Sequence, residues 1–236
     1  MLVESMTPKK VLGLSDIELD FIYSSRVRER FQHIDLIICC GDLPYYYMEY
    51  LISVLDKPLF FVRGNHSNIV EYTSNGLQSE PRGGVNLHRR VIINHGIILA
   101  GIEGSLKYRD APFQYSQPGM WMHVLSLIPA LLRNQAIYGR YLDVFVSHSP
   151  PWGIHDQPDL PHQGIKAFRW LLRVFKPAYH FHGHIHLYRQ DAVKITRFHN
   201  TDVINSYGFI ESSIDPVQSG FAPLSFFQSR KEINKF

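Results

Sequence analysis

Short apolar runs recur along the chain, and each ends abruptly in glycine or in polar residues that can carry chemistry. They are rich in valine, isoleucine and phenylalanine, and runs of this length and composition are typical of strands buried on both faces. We predict strands over Val11–Leu14, Leu36–Cys40, Leu59–Val62, Ile97–Ala100, Val144–Val146 and Ala178–Phe181.

Helical patterns lie between some of these runs. Apolar residues within 20–33 have roughly helical spacing, and Pro44 suits the first turn of a helix that extends to Leu55. Residues 164–175 place their apolar positions on one face, before the stop signal Lys176-Pro177. Alternating strands and helices are typical of the α/β class. Ligands in such folds bind at the carboxyl ends of the strands, so we expect the polar strand ends to lie along one edge.

The rest of the chain is less regular. Ala192–Phe198 and Asp202–Ile210 predict short edge strands, followed by a chain end of low regularity. Residues 67–90 and 103–120 are rich in glycine, proline and polar residues, which predicts surface loops that carry substrate contacts. No repeat or linker divides the sequence, and 236 residues can form one large core. We therefore expect a single domain over residues 1–236.

Composition and charge narrow the class of protein. The chain has 24 Lys and Arg against 21 Asp and Glu, a balance that does not by itself indicate a nucleic-acid or membrane partner. It contains no apolar run near the ~18 residues of a membrane span, and its N-terminus carries Glu4 and lacks the apolar core of a signal peptide. We therefore expect no membrane partner. Cys39 and Cys40 are neighbours in one predicted strand, which excludes a disulfide framework. We expect a reducing, cytoplasmic location.

The strand ends carry a series of short motifs, and 13 histidines make metal ligation worth testing. Taken singly, most of the motifs are weak signals that turn residues would explain. The last is sharper, because two histidines separated by one residue in an extended segment point the same way, as metal ligands often do. In chain order the motifs are Asp16-Ile17-Glu18, Gly41-Asp42, Gly64-Asn65-His66, Ser147-His148-Ser149 and Gly183-His184-Ile185-His186.

This series resembles the five-block signature of the calcineurin-like metallophosphoesterases, and the resemblance spans Leu12 to His186. Residues 201–205 are also similar to the sequence of that family. The resemblance implies a four-layer αββα sandwich, with two mixed β-sheets packed face to face and helices outside. It also implies hydrolysis of a small-molecule phosphate ester, for which we favour a phosphodiester, by a hydroxide that bridges two divalent metal ions.

The same resemblance assigns roles to individual residues. Asp42 would bridge the two ions, and His66 would bind no metal but would stabilise charge or protonate the leaving oxygen. Mixed Asn, Asp and His ligation suits Mn, Fe, Zn or Ni. The first ion would be held by Asp16, Glu18, Asp42 and His186, and the second by Asp42, Asn65, His148 and His184.

The chain departs from the family pattern at two positions. Most family members have histidine where this chain has Glu18, and a carboxylate there would favour Mn or Fe or would leave the position unligated. Ser67 replaces an acid that often follows the Gly-Asn-His motif, so His66 would be oriented less firmly.

The sequence lacks the motifs of several other enzyme and nucleotide-binding classes. The chain has no G-x-S-x-G elbow, P-loop or G-x-G-x-x-G fingerprint, and a buried strand cysteine such as Cys40 is more often a small apolar residue than a nucleophile. The main alternative is an inactive protein of this fold that serves as an interaction module, but the presence of His66 favours an enzyme.

Several residues near the motifs are open to two interpretations. The cations that could contact a phosphate are Arg63, Lys107 and Arg109. The tyrosines Tyr45, Tyr46 and Tyr47 fit packing better than substrate stacking. His155, Asp156 and His162 fit two interpretations, contact with the substrate and a position in a solvated loop.

Overall fold

Two mixed β-sheets form the centre of the structure, a computed structural model that describes residues 7–73, 76–189 and 191–215. The strands of the first sheet are β1 (Lys9–Ser15), β2 (Leu36–Cys39), β3 (Leu59–Phe61), β6 (Gly84–Asn86) and β15 (Gly208–Ile214). Their order in the sheet is β15-β1-β2-β3-β6, with β15 antiparallel to β1 and the other pairs parallel.

The strands of the second sheet are β7 (Arg90–Asn94), β8 (Ile97–Ile102), β11 (Val144–Ser147), β12 (Tyr179–His182), β13 (Ile195–Phe198) and β14 (Thr201–Asn205). Their order is β13-β14-β12-β11-β8-β7, and only the two outermost pairs are antiparallel. Two short pairs stand apart from the sheets: β4 (Glu71–Thr73) with β5 (Gly76–Gln78), and β9 (Ser105–Leu106) with β10 (Gln114–Tyr115).

Helices cover the outer face of each sheet. They are α1 (Val27–Phe31), α2 (Tyr45–Leu55), α3 (Gln117–Tyr138) and α4 (Lys166–Phe175), with a short 3-10 turn at Leu160–His162. One apolar cluster lies between the sheets, a second joins α1 and α2 to the first sheet, and a third joins α3 and α4 to the second sheet. The layers therefore follow the order helix, sheet, sheet, helix, which confirms the αββα sandwich.

The pattern-based predictions were right for the buried strands and for two helices. All six predicted runs form strands, α2 begins at Tyr45 with Pro44 as its N-cap, and α4 begins at Lys166. The helix predicted over residues 20–33 is wrong for its first part, because turns precede the five-residue α1. There the Ser24 hydroxyl donates to the Phe21 carbonyl, a local bond that competes with helix formation.

Outside these runs, the structure differs more from the predictions. The prediction of loops over 67–90 and 103–120 missed β4, β5, β6, β9 and β10 and the start of α3. The segment Asp202–Ile210 divides between two strands, of which β14 is an interior strand instead of an edge strand. The predicted irregular chain end lies in 216–236, outside the described residues.

The 22-residue helix α3 was not predicted at all. Apolar residues occupy both of its faces and Pro129 lies inside it, so the helical period is blurred and a breaker signal is added. Its ends are capped by Ser116, whose hydroxyl accepts from the Gly119 amide, and by Gly139. Within the described ranges, no helix combines the length and hydropathy that a membrane crossing requires.

Candidate metal centre

Carboxylate and imidazole groups meet where the central strands of the two sheets end. Asp16 follows β1, Asp42 follows β2 and His148 follows β11, and one ligand atom from each lies within 4.8 Å of the others. Asn65, after β3, places its Oδ1 2.9 Å from His148 Nε2. The two sheets thus bring together side chains that are up to 132 positions apart in the sequence, since 148 − 16 = 132.

Three of the candidate ligands have unusual backbone conformations. Asp16, Asp42 and His184 have positive φ angles of 69°, 55° and 68°. Such angles cost energy in residues other than glycine, and they cluster at functional sites. Gly64 is required for another reason, because a Cβ atom there would overlap the Asp42 carboxylate and lie 2.7 Å from His148 Cε1.

Asp42 lies at the centre of the group. Its Oδ1 accepts from the His66 amide at 2.8 Å and from the Ser67 hydroxyl at 3.3 Å, and its Oδ2 is 3.2 Å from His148 Nε2. Burial acts to raise the pKa of Asp42, but His148 and these hydrogen bonds lower it to about 2. Asp42 is therefore ionised at neutral pH. Ser67, the departure from the family motif, contacts this carboxylate.

His148 is fully buried, and its two nitrogens have different partners. Nδ1 donates to the Cys40 carbonyl at 2.7 Å, while Nε2 faces Asn65 Oδ1 and Asp42 Oδ2. Burial acts to lower the pKa of His148, but the Asp42 charge raises it to about 9. A proton on His148 Nε2 therefore points at the oxygen atoms of Asn65 and Asp42. A divalent cation fits the same donor set, since metal binding displaces such protons.

Asn65 is oriented by a residue that no sequence motif singles out. Its Nδ2 donates to the Tyr108 hydroxyl at 3.1 Å, so its Oδ1 faces the centre. Tyr108 follows β9, in a segment with no motif, and only the fold reveals its contact with the site.

The two histidines of the last motif flank Asp16. The His184 amide donates to the Asp16 carboxylate at 3.0 Å, and His184 Nε2 donates to the Pro161 carbonyl at 2.7 Å. That bond leaves Nδ1 as the nitrogen with a lone pair, and burial and the nearby His148 lower the pKa of His184 to about 4. His186 Nε2 lies 3.8 Å from Asp16 Oδ1.

Two tyrosine side chains contact the ring of His186. Its ring stacks on Tyr207, with 4.6 Å between centroids, and its Nδ1 is hydrogen-bonded to the Tyr188 hydroxyl at 2.9 Å. Neither tyrosine belongs to a motif, so sequence patterns could not identify them.

Glu18 has a different neighbour from the other predicted ligands. Its carboxylate accepts a hydrogen bond from the exposed Tyr46 hydroxyl, and this bond raises the pKa of Tyr46 to about 12. Glu18 lies outside the three-residue group of Asp16, Asp42 and His148. Its assignment as a metal ligand therefore stays a prediction.

His66 is exposed, and the three candidate cations differ in their distance from it. Arg109 Nη2 lies 3.5 Å from His66 Nδ1. Arg63 is held by the Ser79 carbonyl at 2.7 Å and by Glu80 and Glu103 at 3.3 and 3.5 Å, while Lys107 pairs with Asp110 at 2.9 Å. The structure therefore places Arg109 where it can meet a substrate beside His66.

A second group of histidines lies behind the Gly-His-x-His motif. His182 Nδ1 donates to the Gly183 carbonyl, so His155 Nδ1 must donate to His182 Nε2, at 2.8 Å. The Thr196 hydroxyl then donates to His155 Nε2, also at 2.8 Å. This chain of neutral groups supports the end of β12 from behind.

The remaining candidate residues make contacts that stabilise the fold. Asp156 accepts from the Gly164 amide, His162 pairs with Asp159 at 2.6 Å, and Tyr45 and Tyr47 are buried. Cys40 is fully buried and burial raises the pKa of its thiol, which argues against a nucleophile there.

Comparisons with known proteins show what the chain resembles in sequence and in fold. The chain is 26% identical over 233 residues to a lariat debranching enzyme from Drosophila pseudoobscura pseudoobscura, in a match that covers 74% of this chain. The same match covers 41% of the debranching enzyme, so the chain spans about two fifths of that protein's length.

Solved structures show the same fold at low identity. The structure of TT1561 from Thermus thermophilus superposes with a TM-score of 0.56 at 14% identity, over 88% of this chain and 100% of that one. Another solved structure gives a TM-score of 0.60 at 15% identity, over 88% of this chain and 95% of its own. A family model described as calcineurin-like phosphoesterase matches residues 9–188. Together with the ordered motifs at the strand ends, this match shows that the chain belongs to the calcineurin-like phosphoesterase family.

Proposed function

We propose that this protein is a metal-dependent phosphodiesterase with a two-ion centre. One observation carries the proposal: ligand atoms of Asp16, Asp42 and His148 lie within 4.8 Å of one another at the strand ends, while His66 stays exposed beside them. A cluster of metal ligands next to an exposed imidazole suits hydrolysis of a phosphate ester, because bound ions would stabilise charge on the phosphoryl group while the imidazole protonates the leaving oxygen.

The residues divide into two ligand sets that share Asp42. We assign one ion to Asp16, Glu18, Asp42 and His186, and the other to Asp42, Asn65, His148 and His184. When bound, such ions make water a nucleophile at neutral pH and stabilise charge on the phosphoryl oxygens. The carboxylate at position 18 favours Mn over softer metals.

His66 and Arg109 supply the groups that face the substrate. The His66 amide donates to Asp42, so the position of the imidazole is tied to the proposed bridging carboxylate. Arg109 would hold a phosphoryl oxygen, and His66 would donate a proton to the leaving oxygen.

The distribution of cations favours a diester over a monoester. Of the three cations in question, Arg63 and Lys107 are paired with carboxylates and Arg109 is the one next to His66. Beside the charge that the two proposed ions would supply, one nearby cation fits a diester, which carries one negative charge fewer than a monoester.

The test uses chelator-treated protein with Mn²⁺ added back, assayed on bis(p-nitrophenyl) phosphate and on p-nitrophenyl phosphate. We expect Mn²⁺ to restore hydrolysis, with faster turnover of the diester. His66→Ala should lose activity by roughly 10²- to 10⁴-fold but should bind Mn²⁺ like the parent, since His66 is not a ligand. His33→Ala, at an exposed position, serves as the control.

One observation favours a second candidate, a weakly active or inactive protein that acts as an interaction module. Glu18 is paired with Tyr46, at a position where most members of the family have a histidine. Folded protein that binds Mn²⁺ but hydrolyses neither ester would support this candidate over the enzyme.

A further inference from the structure

Helix α3 is apolar on both of its faces. Met120, Val124, Leu127 and Leu131 are buried against the second sheet. On the opposite side Met122, Leu125 and Leu132 are 71%, 47% and 54% exposed. Surface helices normally carry charged residues opposite their buried stripe. The exposed apolar side of α3 therefore needs an explanation.

The charged residues of the two helices α3 and α4 all have one sign. Segments 111–142 and 160–190, which contain α3 and α4, have no Asp or Glu. Arg133 is exposed on α3, and the neighbouring α4 exposes Lys166 and Arg173. The two helices are joined by a contact between Trp121 and Trp170, with 5.3 Å between ring centroids. The net charge of +3 for the whole chain conceals this local excess.

The exposed apolar and basic residues of these two packed helices are what we call the basic–apolar face: Met122, Leu125, Leu132, Arg133, Lys166 and Arg173. Although the sequence alone predicts no membrane partner, we propose that this face binds the surface of a membrane that contains anionic lipids. Aliphatic side chains would enter the boundary between headgroups and acyl chains, and the cations would pair with lipid phosphates. A helix that lies on a membrane in this way does not need the length or hydropathy of a spanning helix.

Two other occupants fit this face less well. In a two-fold contact between copies of this chain, the basic–apolar face would meet itself and bring like charges together. A nucleic acid would satisfy the cations through its phosphates but would leave Met122, Leu125 and Leu132 without apolar partners. The combination of charge and apolar surface therefore favours a lipid surface.

The experiment measures sedimentation of the full chain with phosphatidylcholine vesicles, with and without phosphatidylglycerol, at low and high salt. We expect binding that requires phosphatidylglycerol and weakens with salt. Arg133→Glu with Arg173→Glu should reduce binding by roughly 30-fold or more. Leu125→Ser with Leu132→Ser should also reduce it, because the inserted apolar area is lost.

Matched controls lie on other surfaces. Arg26→Glu with Arg28→Glu changes the same charge near α1, and Val193→Ser with Ile195→Ser removes exposed apolar groups near β13. Both control proteins should bind vesicles like the parent. Circular dichroism establishes that every variant is folded.

Three outcomes would overturn the proposal. The first is a folded parent protein that fails to bind the anionic vesicles at low salt. The second is a lipid-free dimer in sedimentation equilibrium that Leu125→Ser with Leu132→Ser abolishes while vesicle binding persists. The third is binding to a DNA duplex that depends on the arginines, in a protein that does not bind vesicles.

Discussion

Gly183, the first residue of the Gly-His-x-His motif, lies against the end of β1 beside the candidate metal centre. A Cβ atom at this position would lie 2.7 Å from Ser15 Cβ and 2.7 Å from Asp16 Oδ2, and closer still to Ser15 Oγ. Rotating the Ser15 side chain cannot relieve the overlap, because Ser15 Cβ is part of it. Gly183→Ala must therefore push the end of β1 away from β12.

The size of this displacement follows from the distances. Ordinary contacts begin at 3.4 Å, so Ser15 and Asp16 must retreat by about 0.7 Å, since 3.4 − 2.7 = 0.7. Forcing a methyl group into a packed region costs ~1–3 kcal/mol of stability. Asp16 shifts relative to Asp42 and His148, and misplacement by ~1 Å costs about 10²-fold in rate. We expect Gly183→Ala to bind Mn²⁺ at least ~10-fold more weakly and to lose most of its turnover.

The assays are calorimetric titration with Mn²⁺, thermal unfolding and diester hydrolysis. Gly119→Ala makes the same chemical change in α3, where the nearest atoms would be at ordinary distances of 3.4 and 3.6 Å. That variant should keep its Mn²⁺ affinity and should be as stable as the parent or more stable, because alanine favours helix. If Gly183→Ala matches the parent in both affinity and stability, the close approach of β12 to β1 does not determine the geometry of the site.

The remaining predictions concern single side chains. Arg109→Gln should raise KM for the diester by ~10-fold with little change in Mn²⁺ affinity, whereas Lys107→Gln, already paired with Asp110, should leave KM unchanged. Glu18→Ala should weaken one of two Mn²⁺-binding steps in calorimetry by ~10-fold or more; an unchanged titration would show that the carboxylate serves Tyr46 alone. Burial lowers the pKa of His180 to about 3 from 6.5, so the unfolded chain takes up a proton as the pH falls below 6.5 while the folded chain does not. Its contribution to stability is therefore present above pH 6.5 and is lost toward pH 3, by about 1.4 kcal/mol per pH unit. Denaturant titrations of His180→Phe between pH 7 and 4.5 should show a shallower loss than the parent, and an equal loss would contradict this assignment.

The buried strands and the motifs at their ends could be predicted from the sequence alone. Runs such as Leu36–Cys40 and Val144–Val146 are apolar throughout because both of their faces are covered, and this local property is visible without a structure. Parallel strands end at the same edge of a sheet, so Asp16, Asp42 and His148 were expected to meet, and their ligand atoms do lie together. The family and the αββα fold followed from the order of the motifs.

Other features depend on contacts between distant parts of the chain. Helix α3 is apolar on two faces, so its period is blurred, and packing on the second sheet decides which face is buried. The contacts of Glu18 with Tyr46, Asn65 with Tyr108 and His66 with Arg109 each involve at least one loop residue, and no periodicity relates the two partners. Local apolar patterning sets where strands form, and it was therefore enough to identify the groups that reach the strand ends. The side chains that orient those groups could be found only in the folded chain, because their positions depend on where the loops meet in space.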